Sequence, residues 1–98
     1  MAQNTNINIA AGTWTLLTDS DVSAITFQVV SNNFIYLKAT VGATPPTSTE
    51  GAIIYNFTQG EANSSLSDLF PGLSGANRVY AYPGDTAGGT AQVMVSHA

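Results

Sequence analysis

The residues that could carry out chemistry in this 98-residue chain are few, and their spacing forms no known catalytic motif. His97 is the only histidine and is the penultimate residue. A catalytic base must be held by an orienting partner, whereas a histidine in this position is typical of an exposed strand end. Serine and aspartate occur, but the nucleophile-elbow sequence G-x-S-x-G does not. We therefore expect no catalytic residues and no enzyme activity.

Asp19 and Asp21 are closely spaced carboxylates in a sequence typical of a turn. Together with Ser20 they could bind a hard cation such as calcium, but the bidentate glutamate of a calcium loop does not follow at the required spacing. Carboxylates in this position more often cap a turn, and this is the favoured interpretation. Because the chain has no cysteine, it can form neither disulfides nor thiolate metal sites. We expect no metal site and no cofactor.

Charge limits the partners that the chain can bind. Lys38 and Arg78 are its only cations, against six acidic residues, which gives a net charge of −4. Since each neutralised phosphate needs a cation, we expect binding neither to nucleic acid nor to an anionic membrane. No apolar run reaches the ~20 residues that span a bilayer, and we expect no secretory signal at the N-terminus. Each cation lies in a strand pattern, where it could pair with an acid across the sheet or anchor a ligand or a second subunit.

Aromatic residues offer one further kind of site. Four tyrosines and the single tryptophan could form a platform on which a sugar ring stacks: Tyr36, Tyr55, Tyr80, Tyr82 and Trp14. Aromatic side chains are also enriched in cores and in protein interfaces. We favour core or interface packing for this set and keep sugar stacking as the alternative.

The elements that would position these residues are strands. Apolar and polar residues alternate with period two in seven short runs, which is the pattern of half-buried strands. We predict an all-β fold, a single small antiparallel β-sandwich or barrel of about seven strands that covers residues 1–98. The runs comprise residues 7–9, 14–16, 25–29, 34–40, 53–57, 78–82 and 91–96.

Opposed faces of these strands should form the core. We predict a short helical turn over residues 66–70, ended by Pro71 and Gly72, and a turn at Gly60 and Glu61. The run at 34–40 has apolar residues on both faces, so it should be central in the sandwich or covered by a neighbouring subunit. The predicted core residues are Ile25, Phe27, Val29, Ile35, Leu37, Ile53, Tyr55, Val79, Val93 and Val95.

Five segments together resemble the small cysteine-free virion structural proteins of tailed bacteriophages and prophages. They are AGTW at 11–14, DVSAITFQ at 21–28, IYLKAT at 35–40, DLFPG at 68–72 and RVYAY at 78–82. The resemblance spans nearly the whole chain and implies a virion component, either a capsid decoration (cement) protein or part of a spike or fibre. It implies no active-site residues.

Two functional hypotheses follow from the resemblance and from a chain of which only 8% of the residues are charged. The first is a decoration protein, with a homotrimer favoured, which binds the major capsid protein on the virion surface. Its N-terminal segment 2–9 could add a strand to a partner's open edge. The second is a tail fibre or spike module that binds a host-surface glycan through loops 44–50 and 83–89 together with Tyr82. A head-completion or tail-tube subunit ranks below both, and an enzyme ranks last.

Overall fold

The computed structural model describes residues 3–84 and 91–97. These residues form eight strands and one short helix, which confirms the predicted all-β fold. The elements are β1 (Gln3–Ile9), β2 (Thr15–Leu16), β3 (Ala24–Val29), β4 (Ile35–Thr40), β5 (Ile53–Tyr55), β6 (Gly60–Ser65), α1 (Leu66–Leu69), β7 (Arg78–Pro83) and β8 (Ala91–His97).

The strands are arranged in two antiparallel sheets of four, in the orders β1-β8-β3-β6 and β2-β7-β4-β5. Strands from the two ends of the chain alternate within each sheet, so that β1 pairs with β8 and β2 pairs with β7. This interleaved order is the jelly roll, a two-sheet arrangement built from Greek keys. Of the two predicted alternatives, the sandwich is therefore confirmed and the closed barrel is not.

The core lies between the two sheets and follows the period-two alternation of the sequence. Every predicted core residue is buried except Ile53, which is partly buried and packs against the others. The rings of Phe27 and Tyr55 meet edge to face across the two sheets, with centroids 4.8 Å apart. Core residues that were not predicted are Ile9, Leu17, Ala39, Leu66, Ala81 and Ala91.

Strand β6 is the element that the sequence pattern does not reveal. The prediction of a turn at Gly60 and Glu61 is wrong, because these two residues begin β6 and pair with Gln28 and Phe27 of β3. Within β6, the sequence GEANSS contains no β-branched or aromatic residue, so it lacks the composition by which strands are recognised. Its place in the sheet comes from backbone pairing to β3, with an irregularity in register between Ile25 and Phe27.

The helix and the end of β5 are set by local chemistry. Helix α1 confirms the predicted helical turn; Ser65 caps it by accepting a hydrogen bond from the Asp68 amide at 3.1 Å. The run predicted at 53–57 ends earlier, at Tyr55. Phe57 lies in the turn that follows, next to Thr58 with its positive φ of 72°, and its side chain is exposed rather than in the core.

Both strands singled out for contact with other subunits are members of the chain's own sheets. Strand β4 is central in its sheet, between β7 and β5. Strand β1 pairs with β8 from Gln3–His97 to Ile9–Ala91 and lies at the sheet edge. Addition of β1 to a partner would therefore use its outer edge. Residue 2 of the predicted contact segment and residues 85–89 of the predicted glycan loop lie outside the described residues.

The close approach of β6 to β3 gives a test of the eighth strand. A Cβ at Gly60 would collide with the Phe27 carbonyl oxygen and with the backbone of Gln28, neither of which can move aside as a side chain can. We expect Gly60→Ala to lower the free energy of unfolding by about 1–3 kcal/mol, measured by urea denaturation. Gly72→Ala is the matched control, since a Cβ there meets nothing within 4 Å. Equal stability of the two variants would contradict the pairing of Gly60 with β3.

Candidate functional site

The outer faces of the two sheets differ in chemistry. On the sheet β1-β8-β3-β6 the outward side chains of β1 are Asn4, Asn6 and Asn8, opposite the residues Ser96, Met94 and Gln92 of β8. Gln92 Nε2 donates a hydrogen bond to Asn8 Oδ1 at 3.2 Å, so amide side chains bond along this face. This face resembles an ordinary hydrated surface.

The outer face of the sheet β2-β7-β4-β5 carries a row of aromatic rings. Adjacent ring centroids are 5.2 Å apart for Trp14 and Tyr82, 6.4 Å for Tyr82 and Tyr36, and 5.8 Å for Tyr36 and Phe34. We call these four residues the aromatic row. The spacing is that of favourable aromatic pairs, and each of the four side chains is only partly exposed.

Strand register extends this apolar surface from β7 across β4 to β5. Tyr36 lies directly opposite Tyr82 on β7 and directly opposite Ile54 on β5. Because Ile35 and Leu37 face the core, Tyr36 must face outwards. The Ile54 side chain, at the far end of the row, is 51% exposed. Contiguous apolar surface is a feature of interaction sites, so this face is the candidate functional site.

A glycine fixes one end of the row. The Gly84 amide donates to the Phe34 carbonyl oxygen at 2.9 Å. A Cβ at Gly84 would collide with the ring of Phe34. The absence of a side chain at this position therefore lets the ring lie against the backbone where β7 ends.

Both cations of the chain lie on the same sheet face as the row. Arg78 pairs with an acid, as one interpretation predicted: its Nε lies 2.8 Å from Asp21 Oδ1. The acid comes from the segment between β2 and β3 rather than from a neighbouring strand. Lys38 Nζ donates instead to the backbone carbonyl oxygen of Ser48 at 3.3 Å.

The predicted aromatic set is divided by the fold. Tyr36, Tyr82 and Trp14 meet on the row, and Phe34 joins them although the sequence analysis did not single it out. Tyr80 is on the same face but is only 3% exposed, between Leu16 and Lys38 on the flanking strands.

Tyr55 is in the core. Its hydroxyl donates to Glu61 Oε2 at 3.1 Å. A five-residue sugar platform is therefore not formed.

The prediction that His97 is an exposed strand end is wrong. Its side chain is fully buried, and its Nε2 lies 3.0 Å from Gln3 Oε1 and 3.3 Å from Asp19 Oδ1. The reason is the alternation of side chains along β8: Ala91, Val93 and Val95 face the core, so His97 faces the core as well. Ser96 faces the opposite side of β8, so the two residues do not form a nucleophile–base pair.

The two neighbouring carboxylates contact different side chains, Asp19 that of His97 and Asp21 that of Arg78. Among residues 3–84 and 91–97, no group of three or more histidine, aspartate or glutamate side chains is placed to hold a metal ion. In the same residues, no helix is long and apolar enough to cross a membrane.

No protein-family model, curated protein or solved structure matches the chain. The site is therefore interpreted from its geometry, in which the aromatic row is a cluster of rings outside the core. What the row can supply is contact area and hydrogen bonds from tyrosine hydroxyls, rather than acid–base chemistry.

The buried Tyr55–Glu61 pair gives a test by pH. Burial above all, and then the charge of Glu61 and the hydrogen bond to it, raise the pKa of Tyr55 well above its ordinary value. Above about pH 10 the unfolded tyrosine ionises while folded Tyr55 keeps its proton, so stability falls as pH rises, by about 1.4 kcal/mol per pH unit. We expect urea unfolding between about pH 10 and 11 to show this loss in the wild type and a smaller one in Tyr55→Phe.

Glu61→Gln is the control for this measurement. It removes the neighbouring charge but keeps the burial, so we expect an intermediate dependence on pH. Equal slopes in the wild type and Tyr55→Phe would show that Tyr55 does not retain its proton in the folded state.

Proposed function

We propose that the protein is a structural component of a tailed-bacteriophage virion: a decoration protein that binds the outer surface of the major capsid shell as a homotrimer and stabilises it. The observation that carries the proposal is the aromatic row, extended by Ile54, which runs from Trp14 just before β2 across β7 and β4 to β5. The resemblance of the sequence to small virion proteins supplies the biological setting.

The row has the composition of a contact surface. Tyrosine, tryptophan and phenylalanine are enriched at the centres of protein interfaces, and charged residues are depleted there. Covering an apolar side chain fully contributes about 1.5–3 kcal/mol, against which the entropy of association must be set. The opposite sheet, with its asparagine and glutamine side chains, is suited to remain in water.

The sandwich suits a mechanical role. Its two sheets share a packed core, so the row is presented on a rigid surface and little order has to be gained on binding. Jelly rolls occur in viral capsid proteins and also in lectins, so the fold supports the proposal without deciding it. A protein that bridges neighbouring capsid subunits would oppose the outward pressure of packaged DNA.

A trimer would strengthen attachment without any new kind of contact. Three copies held together present three rows to the shell, and binding of the first raises the effective concentration of the others. The low charge of the chain, 8% of its residues, leaves little electrostatic repulsion between copies.

Heat resistance of virions tests the proposal. Particles from a phage that lacks this protein should release their DNA at a lower temperature than complete particles, and added purified protein should restore resistance. We expect Tyr36→Ser to restore it poorly, because the substitution interrupts the row at its centre. Met94→Ser, on the outer face of the other sheet, is the matched control and should restore it fully.

Two results would contradict the proposal. One is equal heat resistance of particles with and without the protein. The other is restoration by Tyr36→Ser that equals restoration by Met94→Ser, with both variants folded and bound to the shell in the same amount.

The second candidate function is glycan binding by a fibre or spike module. The observation in its favour is the Trp14–Tyr82 pair, whose ring planes are tilted by 43° at one end of the row. Two aromatic rings at such a site can stack against a sugar. Residues 44–50, which are exposed except for the partly buried Pro46, belong to one of the loops predicted to bind the glycan.

The single tryptophan provides the test of this second function. Because Trp14 lies on the row, its fluorescence should change in a saturable way when polysaccharide from the host surface is added. Tyr82→Ser should weaken the response, and Met94→Ser should leave it unchanged. A flat titration, together with normal adsorption by a phage that lacks the protein, would exclude glycan binding.

A further inference from the structure

An apolar groove lies at the edge of the sandwich, and none of the four residues of the aromatic row lines it. It is a cleft of about 360 Å³ between β4, β5 and the segment that follows α1. Lys38 is the only charged residue among those that line it. The residues used in the argument below are Lys38, Ala39, Gly51, Leu69, Phe70 and Leu73.

The groove lies beside the part of β4 that is not paired with β5. Strand β5 begins at Ile53, opposite Leu37, whereas the antiparallel strand β4 continues past that point to Thr40. The carbonyl oxygens of Phe34 and Thr40 accept hydrogen bonds on the β7 side. Because successive residues of a strand direct their backbone groups to opposite edges, Ala39 directs its N–H and C=O to the other side, into the groove.

The backbone of Ala39 has no strand partner on that side. The recorded pairing of β4 with β5 stops at Leu37 and Ile53, and in the described part of the chain no backbone hydrogen bond joins Ala39 to Gly51, which lies in a turn. Ala39 is only 4% exposed. A buried N–H or C=O is normally paired, and leaving it without a partner is costly. The groove therefore combines an apolar wall with backbone groups suited to one more short strand.

We propose that this groove binds an extended segment of a partner protein by strand addition to β4. The backbone of the segment pairs with Ala39, and one of its apolar side chains packs between Phe70 and Leu73. This is the way in which proteins with open sheet edges capture peptides, with main-chain bonds for affinity and a pocket for specificity.

Charge complementarity indicates the chemistry of the segment. Lys38 lies at the groove in a chain of net charge −4, and no acid lines the groove beside it. Its amine is held at 3.3 Å from the Ser48 carbonyl oxygen, a neutral acceptor. An acidic residue next to the apolar side chain would meet the lysine. The segment is thus apolar, extended and acidic at one end, and this inference does not depend on whether the aromatic row binds a capsid.

A titration followed by NMR tests the proposal with the isotope-labelled full chain. The probe is a synthetic peptide of alternating valine and threonine that ends in two aspartates. We expect saturable shifts of the Ala39 and Leu73 amides, with a Kd below about 1 mM, and slower hydrogen exchange at Ala39. The amides of the aromatic row should not shift.

Matched variants and a second peptide separate strand addition from simple apolar adhesion. Leu73→Ser should weaken binding about fivefold or more, while Val41→Ser, which removes an exposed apolar side chain outside the groove, should not. Lys38→Gln should weaken binding of the aspartate-ended peptide, because it removes the positive charge that the aspartates would contact. A peptide in which every backbone amide is N-methylated keeps the same side chains but cannot donate the backbone bonds to Ala39, and it should not bind.

Four results would overturn the proposal. They are no shift at Ala39, equal binding of the N-methylated peptide, equal affinity of the Leu73→Ser and Val41→Ser variants, and shifts at Ala39 that grow with protein concentration when no peptide is present. The last result would identify a second copy of the chain as the occupant.

Discussion

The rest of the structure depends on one constraint: consecutive residues of a strand face opposite sides, and the apolar side of each sheet must meet that of the other. Burial of Ile35 and Leu37 directs Tyr36 to the outside. The same rule directs His97 inward, although a residue so near the chain end would otherwise be expected in water. The face of the sheet on which each candidate site residue lies is thus set by the packing between the two sheets.

This constraint explains how much of the fold could be predicted. Seven of the strands lie in runs with apolar residues at every second position, so the alternation itself reveals them and most of their core residues. Strand β6 carries no β-branched or aromatic residue. It is held by backbone pairing to β3 and by a glycine that permits close approach, and neither of these can be read from hydrophobic periodicity.

The candidate site was only partly predictable for a related reason. Composition identified the tyrosines and Trp14 as a set, but only register decides which of them meet. Tyr36 and Tyr82 are direct cross-strand partners, whereas Tyr55 belongs to the other side of its strand. No sequence pattern predicts the groove beside Ala39, because the groove forms where β4 extends beyond its pairing with β5. The position of this unpaired edge depends on where the pairing of β4 with β5 stops, which residue types do not indicate.

The interleaved strand order also determines how the chain can fold. Because β1 needs β8 and β2 needs β7, each sheet is completed by segments from opposite ends of the chain. During folding, the entropy cost of closing long loops comes before the strand contacts that offset it, and this slows folding. A ribosome would therefore release nearly the whole polypeptide before the first sheet could close, and neither half alone contains a complete sheet. The same strand order should make unfolding slow if unfolding must open both sheets together.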